Sequence, residues 1–158
     1  MSGKKIEILC IDDDQDDFEI FGEALTQTGL DTNVQNAMTD VDLFRYFSTS
    51  TVPDIIFLDG SVTCHYENNC LEEIKAQKHL EKIPVIILST VGGDYKVNDM
   101  YKRGAVLFLI KPSTLNELSD LLKVALTIDW RIADLEKIKD EFSSRYPEMK
   151  FPKAVTVS

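Results

Sequence analysis

No basic residue lies between Lys5 and Arg45, and that stretch holds eleven acids: Glu7, Asp12, Asp13, Asp14, Asp16, Asp17, Glu19, Glu23, Asp31, Asp40 and Asp42. The rest of the 158-residue chain carries 17 bases against 16 acids, so the formal charge of −10 comes almost wholly from this one segment. A chain without a basic run lacks the electrostatic footprint of direct nucleic-acid binding. It also lacks the polybasic patch that would hold it to an anionic membrane. Long apolar runs are missing too. Nothing approaches the ~18 apolar residues of a membrane span. The apolar stretch near the N-terminus is too short for a signal-peptide core and is interrupted by Glu7. Cysteine is scarce and odd in number (Cys10, Cys64, Cys70). With no export signal visible, free thiols in a reducing cytoplasm are expected. No internal repeat or low-complexity tract occurs. The composition, 44% hydrophobic, is that of a foldable chain long enough for one domain with a real core.

Short apolar runs alternate with amphipathic stretches. Ile6–Ile11 ends in Asp12-Asp13-Asp14, the run after Asp54 ends at Asp59, Val85–Leu88 ends at Ser89-Thr90, and Val106–Ile110 ends at Lys111-Pro112. Runs that are apolar on both faces suit a parallel sheet covered on both sides. The more polar Thr32–Ala37 suits an edge strand. Between the runs, Asp16-x-x-Glu19 predicts a capping box ahead of a helix carrying Phe18, Phe21 and Leu25 and stopped by Gly29. Thr39-x-x-Asp42 opens a second helix, Leu71, Ile74 and Lys78 mark a third, Asp94 to Arg103 forms a fourth, and Thr114-x-x-Glu117 opens a fifth. Five alternations of strand and helix predict an α/β doubly wound sheet with helices on both faces. Beyond the fifth helix, Ile128, Ile132, Leu135, Ile138 and Phe142 keep a helical spacing until Pro147 and Pro152. The expectation is an extended last helix and a frayed tail, with an additional partner-binding helix as the alternative.

In open α/β sheets ligands bind beyond the carboxyl ends of the strands. Asp12, Asp13, Asp59, Ser89 and Lys111 therefore converge. Three carboxylates at one site repel and need compensation, which Mg²⁺ can supply through carboxylate oxygens while accepting phosphate oxygens. A lysine adds a point charge that suits phosphate. The set reads as a phosphoryl-transfer site with a carboxylate nucleophile. Asp14, Asp16 and Asp17 read as helix-start and solvent charges, and Cys10 as a small buried apolar residue.

The order of these motifs resembles the receiver domain of two-component response regulators. It is carried by Ile8 to Asp14, Pro53 to Asp59, Ile83 to Ser89, and Gly104-Ala105 leading to Lys111-Pro112. The resemblance implies a flavodoxin-like five-stranded parallel sheet of order 2-1-3-4-5. It implies that Asp59 is the phosphoacceptor, that Asp12, Asp13, Asp59 and the backbone carbonyl of Ser61 hold Mg²⁺, and that Lys111 pairs with Asp59. It makes Ser89 the switch hydroxyl and Phe108 the switch aromatic. Residues 1–127 form the receiver, and residues 128–158 a C-terminal helical extension and tail without a separate output domain.

Implied partners are a sensor histidine kinase or histidine phosphotransfer protein. A downstream protein is expected at the face of the fourth helix, fifth strand and fifth helix, which includes Tyr95, Tyr101, Lys102 and Arg103. The apolar stripe from Ile128 to Phe142 is available for homodimerisation or tail docking. Such a protein is a cytoplasmic phosphoacceptor and no enzyme beyond its own phosphorylation and dephosphorylation. One departure stands out. The family's Met-Pro pair and following glycine are replaced by Gly60 to Cys70, where Asn68 or Asn69 could supply the left-handed conformation. That loop motivates a second reading, a receiver-like protein-binding module that no longer uses phosphorylation. Cys64, His65 and Cys70 gather soft ligand types but fall short of a four-ligand zinc site; chance composition is the expectation, with a loop disulfide or redox role as the alternative. An aspartate-nucleophile phosphatase needs a carboxylate two residues after Asp59, where Ser61 stands. A nucleotide site needs a glycine-rich loop after the first strand, which is missing.

Overall fold

Apolar runs become strands here because each is covered twice. The computed structural model describes residues 4–49, 51–62 and 70–153. Strands β1 (Ile6–Ile11), β2 (Thr32–Ala37), β3 (Ile55–Asp59), β4 (Val85–Ser89) and β5 (Leu107–Ile110) form a parallel sheet in the order β2-β1-β3-β4-β5. Every residue of β3 and β4 is buried. Alternate side chains feed two cores. Leu9, Ile56, Ile87 and Phe108 meet α2 (Asp40–Ser48), α3 (Cys70–Lys75) and α4 (Asp94–Lys102) on one face. Ile8, Phe57, Ile86 and Leu109 meet α1 (Gln15–Gln27) and α5 (Leu115–Thr127) on the other. β2 alternates between exposed and partly buried positions, as an edge strand does. No helix among the described residues is long and apolar enough to cross a membrane.

The helix starts follow local hydrogen bonding. Thr39 and Asp42 form the reciprocal capping box expected for α2, and Thr114 caps α5 through the Glu117 amide. For α1 the cap is Asp14 and not the Asp16-x-x-Glu19 pair. The Asp14 carboxylate accepts the N–H groups of Asp16 at 2.9 Å and Asp17 at 3.2 Å. Asp14 is the last extended residue after the strand, so the helix begins two residues before that pair could act. Gly29 (φ 76) and Gly104 (φ 112) adopt the left-handed conformation expected where α1 and α4 stop. α3 closes at Lys75, which leaves Lys78 outside it.

The C-terminal segment differs from an extended helix with a frayed tail. α5 ends at Thr127, and Ile128 is extended (φ −80, ψ 133). Trp130 folds back so that its indole N–H donates to the Ala125 carbonyl at 2.9 Å, satisfying one of the open acceptors at the helix end. A separate helix, α6 (Leu135–Phe142), is capped by Asp134. Its Ile138 is buried, Phe142 packs against the α1–α5 core, and Ile132 is 82% exposed. The stripe is therefore used mainly within the chain. A sixth strand, β6 (Met149–Lys150), then pairs antiparallel with β5, placing Met149 opposite Leu109. The apolar spacing ran across a break because a helical period persists by coincidence between two short elements.

Met149 is buried beside Leu109 and the α1–α5 core. Met149→Ala is expected to cost about 2 to 3 kcal/mol in urea unfolding, the range for truncating a buried methionine. A frayed tail predicts a change close to zero.

Candidate functional site

Strand register builds the site. Ile11 lies beside Leu58, Asp59 beside Leu88, and Ser89 beside Ile110. The backbone ladder continues one step further: Asp12 N–H to Ala37 O at 3.2 Å, Gly60 N–H to Leu88 O at 3.1 Å, and Lys111 N–H to Ser89 O at 2.8 Å. These bonds bring Asp12, Asp59, Ser89 and Lys111 to one edge of the sheet. There the strand order reverses across β1, which is where ligand crevices open in this architecture.

The Lys111 ammonium faces three carboxylates. Its Nζ lies 3.1 Å from Asp59 Oδ2, 3.2 Å from Asp17 Oδ2 and 3.8 Å from Asp12 Oδ2. One oxygen of each carboxylate lies within 4.8 Å of the others. Asp59 and Asp12 are buried and Asp17 is half-buried. Asp13 is exposed and stands outside this group. Asp17, expected as a helix-start charge, belongs to this group. It lies one turn before Phe21, which is buried in the core, and so shares the inward face of α1. That spacing was the available signal.

Asp59 is held at both oxygens. The Ser61 amide and hydroxyl each donate to Oδ1 at 2.9 Å, and Lys111 donates to Oδ2. Burial opposes its ionisation, but these hydrogen bonds outweigh burial and bring its carboxyl below the usual range. Asp12 goes the other way. Burial foremost, with the neighbouring Asp59 charge, pushes it up to about 6, against the lowering bond from the Asp14 amide. Lys111 is raised, because its carboxylate partners overcome its own burial.

The Ser89 hydroxyl donates to the Val91 carbonyl at 2.9 Å and accepts from Lys96 Nζ at 3.1 Å. Phe108 is fully buried, and its N–H donates to the Tyr101 hydroxyl at 3.1 Å. The loop from β4 to α4 lies over it. A side chain at Gly92 would overlap Ile110 and come within 3.1 Å of the Phe108 ring. A cavity of about 440 Å³ opens beside the acids between α1 and α5, with Ile20, Leu115 and Leu118 in its wall.

The expected partner face is partly occupied by the chain itself. β6 covers the edge of β5. Tyr101 Oη donates to Lys150 O at 2.6 Å, and Asn98 accepts the Lys153 N–H at 2.8 Å. Arg103 pairs with Asp99 and Glu72. Tyr95, 87% exposed, and Lys102 remain open. Cys64, His65, Asn68 and Asn69 lie outside the described residues. Cys10 is free and buried, whereas Cys70 is disulfide-bonded, which corrects the reading of all three cysteines as free thiols.

The donor set fits a hard cation. Three clustered carboxylates share one lysine, so their oxygens outnumber the cationic charge that faces them. Comparison with known proteins agrees with the geometry. The family model described as response regulator receiver domain matches residues 8–123. The chemotaxis protein CheY1 of Helicobacter pylori (strain J99) is 22% identical over 121 residues, 77% of this chain and 97% of that protein. A CheY homologue of Campylobacter jejuni is 24% identical over 77% of this chain and 92% of its own length. The Mn²⁺-bound form of response regulator Rcp1 superposes with a TM-score of 0.66 at 21% identity, over 82% of this chain and 97% of that one. A response regulator from Desulfuromonas acetoxidans gives a TM-score of 0.62 at 20% identity, over 77% and 96%.

The raised Asp12 carboxyl sets a pH dependence. Its contribution to stability is fully present below the unfolded value near 4 and is lost as pH rises through about 6. Asp12→Asn cannot ionise. It is expected to match the wild type near pH 4 and to exceed it by about 1 to 3 kcal/mol above pH 7 in metal-free denaturant unfolding. Equal stability of the two proteins at both pH values contradicts the assignment.

Proposed function

Because the chain belongs to the response regulator receiver family, we propose that it is a phosphorylatable signalling receiver whose phosphoacceptor is Asp59. The observation that carries this reading is the two-sided grip on Asp59, with Ser61 on one oxygen and Lys111 on the other. The grip fixes the carboxylate for attack and lowers its carboxyl, so that it is ionised and ready at neutral pH.

The donor is a phosphohistidine of a sensor histidine kinase or a histidine phosphotransfer protein. An Asp59 oxygen forms the new O–P bond as the N–P bond breaks, and the departing imidazole nitrogen takes up a proton. Asp12, Asp13, Asp59 and the Ser61 carbonyl are the proposed Mg²⁺ ligands, and the position of Asp17 adds it to that set. When bound, Mg²⁺ supplies charge neutralisation on the transferring phosphoryl group. Lys111 then exchanges its bond to the Asp59 carboxylate for one to a phosphoryl oxygen. Ser89 redirects its hydroxyl hydrogen bond from the Val91 carbonyl to the phosphoryl group. The β4–α4 loop, freed of that bond, repacks over Phe108 as one of two populated arrangements. The protein catalyses only its own phosphorylation and dephosphorylation, acts in the cytoplasm and contacts neither nucleic acid nor membrane. Its output is a protein contact at α4, through Tyr95 and Lys102, with residues 128–153 serving as an integral part of the receiver.

Incubation with acetyl phosphate and Mg²⁺ is expected to label the wild type by one phosphoryl group in intact-mass measurement. Asp59→Asn is expected to lose the label, and EDTA to suppress it. Undiminished labelling of Asp59→Asn overturns the phosphoacceptor assignment. A wild type that neither binds Mg²⁺ nor takes label favours the protein-binding module that no longer uses phosphorylation.

A further inference from the structure

We propose that Lys96 is a second phosphoryl-binding cation of the Asp59 site, coupled to the switch through the Ser89 hydroxyl. The inference rests on the reading of Asp59 as phosphoacceptor. Lys96 is half-buried in the first turn of α4, and its Nζ donates to Ser89 Oγ at 3.1 Å. A surface lysine kept for solubility has little reason to sit there. The start of a helix carries partial positive charge and disfavours a cation. Among the described residues Lys96 has no carboxylate within ion-pair distance: the nearby acids Asp94 and Asp99 pair with Lys153 and Arg103.

Gly60, the residue after Asp59, makes this approach possible. A Cβ at Gly60 would stand 2.9 Å from both Cβ and Oγ of Ser89 and 3.2 Å from Lys96 Nζ. The missing side chain opens a space beside the phosphoacceptor backbone, and the ammonium fills it. Of its three N–H donors, one is used on Ser89.

Charge explains what the other donors are for. Phosphorylation replaces one negative charge at Asp59 by about two. Lys111 is already divided among Asp12, Asp17 and Asp59. A cation held next to the switch hydroxyl can take a phosphoryl oxygen without leaving another acid unpaired. Ser89 has one hydroxyl donor, now engaged with the Val91 carbonyl. Once it turns to the phosphoryl group, Lys96 and Ser89 bind the same anion together, and α4 is drawn toward the site through Lys96.

Beryllofluoride with Mg²⁺, a mimic of the phosphoryl group, is the probe. Its affinity for the full chain is measured by calorimetry in wild type, Lys96→Met, Lys96→Gln and Lys96→Arg, with circular dichroism identifying folded variants. The two uncharged variants are expected to bind about tenfold more weakly, as loss of one charge-assisted hydrogen bond predicts. The Arg variant is expected to recover most of that loss, which a packing role would not allow. Wild-type affinity in a folded Met or Gln variant overturns the proposal, and so does an Arg variant as weak as Met. A wild type that binds no beryllofluoride and takes no label from acetyl phosphate removes the Asp59 reading itself, and this inference with it.

Discussion

One ammonium group among three carboxylates is the constraint on which this molecule turns. Lys111 reaches Asp12, Asp17 and Asp59 because β1, β3, β4 and β5 end in register at the same edge. Just below the cluster the sheet is apolar and buried, with Leu58, Ile87 and Phe108 packed in one core. A single cation does not neutralise three acids. Burial, with the Asp59 charge adding to it, raises Asp12, while direct hydrogen bonds lower Asp59. Two carboxylates at the ends of neighbouring strands are thereby driven in opposite directions by their different surroundings.

From this edge, contacts run outward without a gap. Ser89 holds Val91, the next residue Gly92 leaves room that Ile110 and Phe108 occupy, the Phe108 amide meets Tyr101, and Tyr101 meets the carbonyl of Lys150. The edge strand β6 thus touches an element two bonds from the buried aromatic. The far end of the chain is built onto the part of the fold that a change at Ser89 would disturb, and it does so on the surface where an external partner was anticipated.

Much of this was legible in residue order. The apolar runs, their polar ends and the Thr39 and Thr114 caps depend on local chemistry, and local chemistry is written in sequence. Asp12, Asp59, Ser89 and Lys111 converge because parallel strands place their carboxyl ends together. What escaped was decided by tertiary geometry. Asp17 looked like one more acid in a run, and only its place on the inward face of α1 distinguishes it from Asp16. Asp13, next to the buried Asp12, is exposed and lies outside the cluster of Asp12, Asp17 and Asp59. The last 30 residues carried an apolar spacing that suits a continuous helix equally well. At Ile128 the backbone turns extended, and Trp130 reaches back five residues to the Ala125 carbonyl, a contact that apolar spacing alone does not announce. β6 is two residues long, too short to have any period.

Trp130 gives that last feature a practical side. It is the chain's single tryptophan. It is anchored to Ala125 and borders the hollow formed by Ala105, Val106, Leu135 and Ile138. Its indole therefore sits at the seam between the five-stranded body and the C-terminal addition, far along the chain from the acids. Intrinsic fluorescence of this protein is a single-site optical gauge of how firmly that seam is closed, readable without a label and on the same sample in which the acidic edge is titrated.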